Sequence, residues 1–380
     1  MHILILPSWY ISSYNALQGI FFKEQAEALA KYGNKVGVIS IQDVGIRNII
    51  RQKKLELSKM YIFENRVHTY RFQYLNIIKN NFLIKKFELY YFKRMWTQYI
   101  KEQGIPDIVH LHSYLAGDFA LYIKEKYNIP FVVTEHNSGF ARNTISIKNL
   151  DKAKEIFEKS ASNIAVSEKL GTLLKNKFTL NFKYIPNIVN MDFFNIKKTV
   201  KKNTYDFIHI AYLDRNKNQT MLIRAFYRVF RNQAKIKLTI VGDGVEYDNL
   251  YKLIKELNMQ DQILLFGRAN REEVKNLLQH SDAFVLSSIY ETFGVVVIEA
   301  MSCGLPVVAT KCGGPESIVT SGKVGLLSDI DENQFSEKLL EMYNKRKSFN
   351  PEYIRKYVEE NFSEKAVTLK LNDVYEKARK

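Results

Sequence analysis

Two doubly wound α/β domains in tandem are what this sequence predicts, on three observations. At 380 residues it outruns the roughly 250–300 residues at which a single hydrophobic core stops growing. Short runs of Val, Ile and Leu alternate with segments of helical period along most of the chain, the pattern of parallel strands covered by helices on both faces. The polar stretch 197–203 breaks that rhythm near the middle and marks the join.

In the first half, residues 2–6 are an apolar strand that Pro7 stops. Residues 20–32 follow as a helix, with Phe21, Phe22, Ala26, Leu29 and Ala30 on or near one face. Strands are expected at 35–41, 108–112, 131–134, 163–166 and 182–185, and helices at 116–127, 150–159 and 167–175, the last opened by Ser167 and Glu168. The second half repeats the rhythm more regularly. Strands fit 207–212, 237–241, 263–266, 283–286, 306–309 and 325–327; helices fit 218–231, 247–257, 272–279, 295–301 and 332–345. Ligands of open α/β sheets settle outside the carboxyl ends of the strands, so two such sheets facing one another are expected to leave the site in a cleft.

Composition narrows the class. A 46% hydrophobic, 25% charged chain is neither disordered nor collagen-like. Two cysteines, Cys303 and Cys312, are too few for a disulfide framework or a four-cysteine zinc site and suit a reducing cytosol. The start lacks the basic region and length of a signal peptide, and no apolar run approaches the ~18 residues that cross a bilayer. A cytoplasmic protein is expected.

The net charge of +16 is unevenly placed: residues 44–102 hold 13 Lys/Arg against 4 Asp/Glu. Such an excess points to an anionic partner: a membrane surface, a nucleic acid or a phosphorylated substrate. General lysine enrichment is the competing explanation for the total. Residues 76–101 mix Lys79, Lys85, Lys86, Lys93, Arg94 and Lys101 with Phe82, Phe87, Tyr90, Tyr91, Phe92, Trp96 and Tyr99. That composition fits a helix lying on anionic lipid at the inner face of the membrane, or an ordinary helix whose aromatics pack inward. No nucleic-acid-binding motif accompanies the charge, so no nucleic-acid partner is expected.

The most specific pattern is Glu291-Thr-Phe-Gly-Val-Val-Val-Ile-Glu299, after the strand at 283–286 and opening a helix. The Phe293, Gly294 and Val295 amides then lie at a helix N-terminus, where unpaired donors and the helix dipole favour phosphate. Glu299, one or two turns on, is placed to accept hydrogen bonds from sugar hydroxyls. Val241-Gly242-Asp243-Gly244 has the look of a phosphate loop, a weak signal alone. The segment 214–218 follows a strand, so Arg215 and Lys217 are candidate cations for a diphosphate. Asp107-Ile-Val-His110-Leu-His112 sets two histidines at a strand's carboxyl end, expected to point to opposite faces, and Glu135 and His136 end the next strand. Asp329 and Asp331 mimic a metal-binding D-x-D, but Asp331 reads as a helix N-cap. No cluster has metal-ligand spacing, so no metal is expected.

The Glu291/Glu299 pair, the continuation Glu-Ala-Met-Ser-Cys-Gly-Leu-Pro-Val-Val-Ala-Thr and Gly313-Gly314-Pro315-Glu316 resemble the donor-binding signature of family 4 retaining glycosyltransferases. Pro7-Ser8-Trp9-Tyr10, residues 19–25, Ile185-Pro186-Asn187 and Asn361-Phe362-Ser363 resemble further pieces of that family in the same order, so the resemblance spans nearly the whole chain. It implies the two-domain GT-B fold, with an acceptor domain at 1–197, a nucleotide-sugar domain at 198–360 and a terminal helix at 361–380 returning to the first.

It further implies a nucleoside-diphosphate sugar as donor, UDP- or GDP-linked, no cofactor, and transfer to a glycan or lipid-linked acceptor of surface polysaccharide or glycoconjugate assembly. His112, Glu291 and Lys217 would be catalytic, and His110 a packed residue. Gly19, Arg215, Gly242, Arg268, Thr292, Phe293, Gly294, Val295 and Glu299 would hold the donor; Glu135 and His136 would line the acceptor side. The sequence departs from the family where Tyr212 takes the place of a usual Arg, so either Arg215 substitutes for it or diphosphate binding is weaker or differently built. Other enzymes of the same fold, a nucleotide-sugar epimerase or a phosphorylase, are the alternative.

Overall fold

A computed structural model describes residues 1–12, 18–45, 59–76, 82–197 and 202–380. Lys79, much of the basic stretch 44–102 and the heart of the join at 197–203 lie outside the described residues. The chain divides into two compact units: residues 1–166, 170–188 and 364–380 form the first, and residues 167–169 and 189–363 the second.

The first unit is built on an eight-stranded sheet in the order β3-β4-β2-β1-β5-β6-β7-β8. Its strands are β1 (His2–Pro7), β2 (Lys35–Gly45), β3 (Lys59–Glu64), β4 (Val67–Asn76), β5 (Ile108–His112), β6 (Phe131–Glu135), β7 (Ser162–Ala165) and β8 (Phe182–Tyr184). All neighbours pair in parallel except β3 with β4. Five helices accompany it: α1 (Ile20–Lys31), α2 (Phe82–Gln103), α3 (Gly117–Tyr127), α4 (Ile147–Lys159) and α5 (Glu168–Phe178), whose first two residues group with the second unit.

The pair β3 and β4 is absent from the sequence reading. The charge of 44–102 drew attention away from an alternating, aromatic stretch, Val67-His-Thr-Tyr-Arg-Phe-Gln-Tyr-Leu-Asn76, that suits a pleated surface. One of its cations, Arg71, is buried and donates from Nη1 to the Ile11 carbonyl at 2.8 Å. The α2 helix packs some of its aromatic residues inward and leaves others exposed. Phe92, Met95, Trp96 and Tyr99 are buried, while Leu83, Phe87 and Tyr90 stay exposed beside Lys85, Lys93 and Arg94.

The second unit has a six-stranded, wholly parallel sheet in the order β11-β10-β9-β12-β13-β14. Its strands are β9 (Tyr205–Ile210), β10 (Ile236–Val241), β11 (Ile263–Gly267), β12 (Ala283–Leu286), β13 (Val307–Thr310) and β14 (Gly325–Ser328). Between and after them come α6 (Gln219–Phe230), α7 (Tyr247–Glu256), α8 (Arg271–Gln279), α9 (Val295–Ser302), α10 (Glu332–Asn344) and α11 (Pro351–Phe362). Near-continuous apolar strands such as Ala283-Phe-Val-Leu286, fully buried, are what a sheet covered on both faces requires.

Helix α11 ends at Phe362, and α12 (Glu364–Arg379) groups with the first unit. Val367, Leu371, Val374 and Tyr375 enter a core with Ile3, Ile5, Phe22, Leu29 and Val38. The sheets are therefore two of the doubly wound kind the sequence predicted, with only terminal shifts of a few residues in most elements.

Candidate active site

In the first unit the strand order reverses between β1 and β5, because β1 pairs with β2 on one side and β5 on the other. Loops leaving such a pair diverge and open a crevice at their carboxyl ends. Four predicted residues gather there: Gly19, His112, Glu135 and His136. Ser8 Oγ, just past β1, donates to the His112 carbonyl at 2.7 Å and ties the two strand ends together. Gly19 caps α1 with φ 73°, and a Cβ there would stand 2.9 Å from the Trp9 carbonyl, so the tight turn into α1 requires glycine.

His112 and His136 are buried and share a hydrogen bond, Nδ1 to Nε2, at 3.1 Å. The Phe22 ring lies 4.5 Å from that of His112 and 5.0 Å from that of His136. The expectation that His110 and His112 point to opposite faces fails. Residues two apart on a strand share a face, and the two rings stand 4.2 Å apart. His110 is nonetheless the packed residue expected of it: it lies at 0% exposure with a partner on each nitrogen, Thr134 Oγ1 at 2.7 Å and Tyr375 Oη at 2.6 Å. His112 Nε2, by contrast, is buried with no hydrogen-bond partner.

Burial disfavours the imidazolium form. It pushes His110 and His136 down to about 3, and it holds His112 well below the usual histidine range, helped by its two histidine neighbours. Burial also raises the Glu135 carboxyl, against the opposing effect of the amides it accepts from. Its Oε1 takes the His136 and Asn137 amides, each at 2.8 Å, and its Oε2 the Tyr114 amide at 3.1 Å. Glu135 thus anchors the loops that end β5 and β6; its oxygens face the chain's own backbone.

The second unit's strand order reverses between β9 and β12. The loop after β9 and the loop after β12 meet at their carboxyl ends, joined by Asn216 Nδ2 to the Tyr290 carbonyl at 3.0 Å and by the Ile289 amide to the Asn216 carbonyl at 2.7 Å. Lys217 and Glu291 form an ion pair of 2.5 Å there, with side chains 23% and 13% exposed. Ser288 Oγ donates to the same Glu291 oxygen at 2.8 Å. Three residues on, Gly294 opens α9 with φ 94° and no side-chain cap. Thr292 is half-buried, and the Phe293 side chain is sealed at 1% exposure against Phe362, so Phe293 offers only its backbone. Glu299, within α9, has a carboxyl raised by burial and drawn back by Arg271.

Other predicted donor residues have contacts of their own. Arg215 has a side chain 95% exposed and meets Glu246 at 3.6 Å; Arg268 is exposed. The Gly242 amide is spent on the Gly267 carbonyl at 2.8 Å, and a Cβ would fall 1.9 Å from the Ala211 carbonyl. Glycine is demanded there by close backbone packing. Asp331 caps α10, accepting from the Gln334 amide at 3.0 Å, and Asp329 pairs with Lys311 at 2.7 Å. Among the described residues, no group of three or more His, Cys, Asp and Glu could hold a metal ion. Sequence reasoning missed Ser288, Phe22 and Tyr375. A serine three residues before Glu291 was the one visible hint.

Two family models match, and between them they span residues 18–361: Glycosyltransferase Family 4 over 18–193 and Glycosyl transferases group 1 over 191–361. This chain belongs to glycosyltransferase family 4. A probable sucrose-phosphate synthase of Thermosipho melanesiensis is 28% identical over 93% of this chain and 89% of its own. A 4-alpha-N-acetylgalactosaminyltransferase of Campylobacter jejuni, acting on N-acetylgalactosamine-N,N'-diacetylbacillosaminyl-diphospho-undecaprenol, is 34% identical over 36% of each chain. Among solved structures, Anabaena HepE in complex with UDP superposes with a TM-score of 0.75 at 17% identity, over 99% of this chain and 100% of that one. The family 4 member has the GT-B fold, and its activity is glycosyl transfer.

Proposed function

We propose that this glycosyltransferase moves a hexosyl group from a UDP- or GDP-sugar to a glycan or lipid-linked acceptor, without a metal and with the anomeric configuration kept. The observation that carries the reading is the Lys217–Glu291 pair beside the uncapped start of α9, at the switch point of the second unit's sheet. A half-exposed ammonium and a helix N-terminus suit the two charges of a diphosphate and the charge that grows on it as it leaves. Glu291 and Glu299 then take hydroxyls of the donor. His112 offers an unpartnered, neutral Nε2 for one directed hydrogen bond to the transferred sugar. The acceptor attacks from the side the diphosphate leaves, so no protein nucleophile is required.

The UDP-bound Anabaena structure and the undecaprenol-linked acceptor of the Campylobacter relative support a nucleotide donor and a lipid-linked acceptor. Exposed Leu83, Phe87 and Tyr90 beside Lys85, Lys93 and Arg94 on α2 support contact with anionic lipid at the cytoplasmic membrane face. Surface polysaccharide or glycoconjugate assembly is the setting that joins the two.

The test begins with thermal shifts against UDP-, GDP- and ADP-sugars, since a ligand at 100 times its Kd adds about 2.7 kcal/mol. The UDP- or the GDP-sugars should stabilise the protein and, in excess EDTA, be consumed with an undecaprenyl-diphospho-sugar acceptor. The proton coupling at the new anomeric centre should match that of the donor. An inverted product, or activity restored to the EDTA-treated enzyme only by Mg²⁺ or Mn²⁺, would overturn the corresponding part.

A further inference from the structure

The His112 imidazole is held on three sides. Its Nδ1 bonds to His136, Phe22 covers one side at 4.5 Å, and His110 lies against it at 4.2 Å with planes 32° apart. The orientation of Nε2 therefore depends on where the His110 ring sits. That ring is fixed at both nitrogens, by Thr134 Oγ1 on the adjacent strand β6 and by Tyr375 Oη on α12, 265 residues away. Tyr375 is fully buried, and the structure gives its hydroxyl no other partner among the described residues. A buried phenol keeps its proton and needs an acceptor for it. The Tyr375 proton thus goes to His110 Nδ1, which leaves His110 neutral with its own proton on Nε2, donating to Thr134.

We propose that Tyr375 is a positioning residue for His112: its hydroxyl locks the ring and tautomer of His110, and His110 in turn fixes the direction in which His112 Nε2 points. The terminal helix α12 thereby reaches the reacting end of the first unit's sheet through two aromatic rings. This rests on the reading of His112 as the group that meets the transferred sugar. Among the described residues, the same contacts place His110 and His136 as the titratable groups against His112, with Glu135 behind the loop of His136.

The test uses the full chain as parent, Tyr375→Phe, Thr134→Val and His112→Ala. The donor is whichever of UDP-glucose, GDP-mannose and ADP-glucose stabilises the parent. Tyr375→Phe keeps the ring packing and removes one hydroxyl; Thr134→Val keeps the shape and removes the partner at the other nitrogen. Long-range proton–nitrogen spectra of histidine-labelled protein should show His110 protonated on Nε2 in the parent. In either conservative variant the His112 nitrogen signals should shift and broaden, although neither variant touches that ring's own hydrogen bond. Turnover should fall about tenfold, with the donor KM within twofold and the melting temperature within a few degrees, since small misplacements of a reacting group cost that much. If Tyr375→Phe does not fold, Thr134→Val carries the test. Unchanged His112 signals and turnover in the conservative variants, with activity lost in His112→Ala, would sink this proposal and leave the role of His112 standing. A loss of turnover matched by a loss of melting temperature, with the His112 signals unmoved, would assign Tyr375 to packing alone. Full turnover in His112→Ala would remove both readings together.

Discussion

The two switch points of this molecule solve opposite physical problems. In the first unit the polar groups at the strand ends are sealed: three neutral imidazoles at or below 8% exposure and a carboxyl turned onto backbone amides. In the second the groups are charged and half-open, an ammonium and a carboxylate that share one contact. A charged ligand needs a site that keeps some hydration until the ligand arrives, since burying an unpaired charge is prohibitive. A single directed hydrogen bond to a sugar is served better by a buried imidazole with one nitrogen left over. Both sites stand on the same kind of sheet, so side-chain burial, not topology, separates their chemistry.

The largest expected consequence of that contrast is acid lability concentrated in the first unit. His110, His112 and His136 stay neutral in the folded protein, whereas in the unfolded chain each takes a proton as pH falls through about 6.5. The unfolded state then binds more protons, so stability is complete above that pH and drains below it, by up to about 2 kcal/mol per histidine at pH 5. The raised carboxyl of Glu135 works the other way, because the folded state takes up its proton earlier than the unfolded chain as pH falls toward the ordinary carboxylate range. The second unit has one comparable group, His209, lowered to about 4 by burial. Both tryptophans, Trp9 and Trp96, belong to the first unit, so tryptophan fluorescence reads its unfolding alone. Its urea midpoint should fall steeply between pH 7.5 and 5.5. A flat midpoint would mean that the histidine cluster takes up protons in the folded state.

Next in size is the effect on turnover. His112→Ala should lower kcat about a hundredfold, the scale of losing one preorganised hydrogen-bonding group, with donor affinity within a few-fold. Lys217→Ala should do the reverse: donor affinity falls about tenfold to a hundredfold, as for a charge-assisted hydrogen bond of about 1.5–3 kcal/mol. Isothermal titration with the stabilising donor, alongside steady-state kinetics, separates the two. Exchange of these phenotypes would reverse the division of labour between the units.

Much of this was legible in the sequence because it is local. Buried parallel strands announce themselves as unbroken apolar runs, and the Glu291–Glu299 spacing places a glycine at a helix mouth within nine residues. Lys217 followed from its place just after a strand. What was illegible is tertiary. The partners of His110 are 24 and 265 residues away, and the burial that neutralises the cluster arises only when Phe22 and α12 close over it. Glu135 looked like a site carboxylate because no pattern in sequence reveals that three amides will claim its oxygens. The pair β3 and β4 went unseen for a different reason: their cations were counted in a basic stretch that pointed to an anionic partner, while Arg71 is buried and bonded to a loop carbonyl.

The smallest effect tests two carboxylates of the second unit outside the Lys217–Glu291 pair. Asp329 and Asp331 have the spacing of a metal-binding pair, yet Asp331 accepts the Gln334 amide as the cap of α10, and Asp329 lies in an exposed pair with Lys311. An N-cap aspartate replaced by alanine destabilises by about 0.5–2 kcal/mol, and an exposed ion pair contributes at most about 1 kcal/mol. Asp331→Ala should therefore lower the melting temperature by a few degrees, Asp329→Ala by less, and Asp331→Asn, which caps equally well, hardly at all. Turnover should be unchanged in all three at a temperature where each is folded. The asparagine variant is the discriminating one, because it keeps the cap and removes the charge. A loss of turnover in Asp331→Asn with stability intact would show that this carboxylate acts on the substrate or on a cation, and the second unit's charged site would then extend well beyond Lys217 and Glu291.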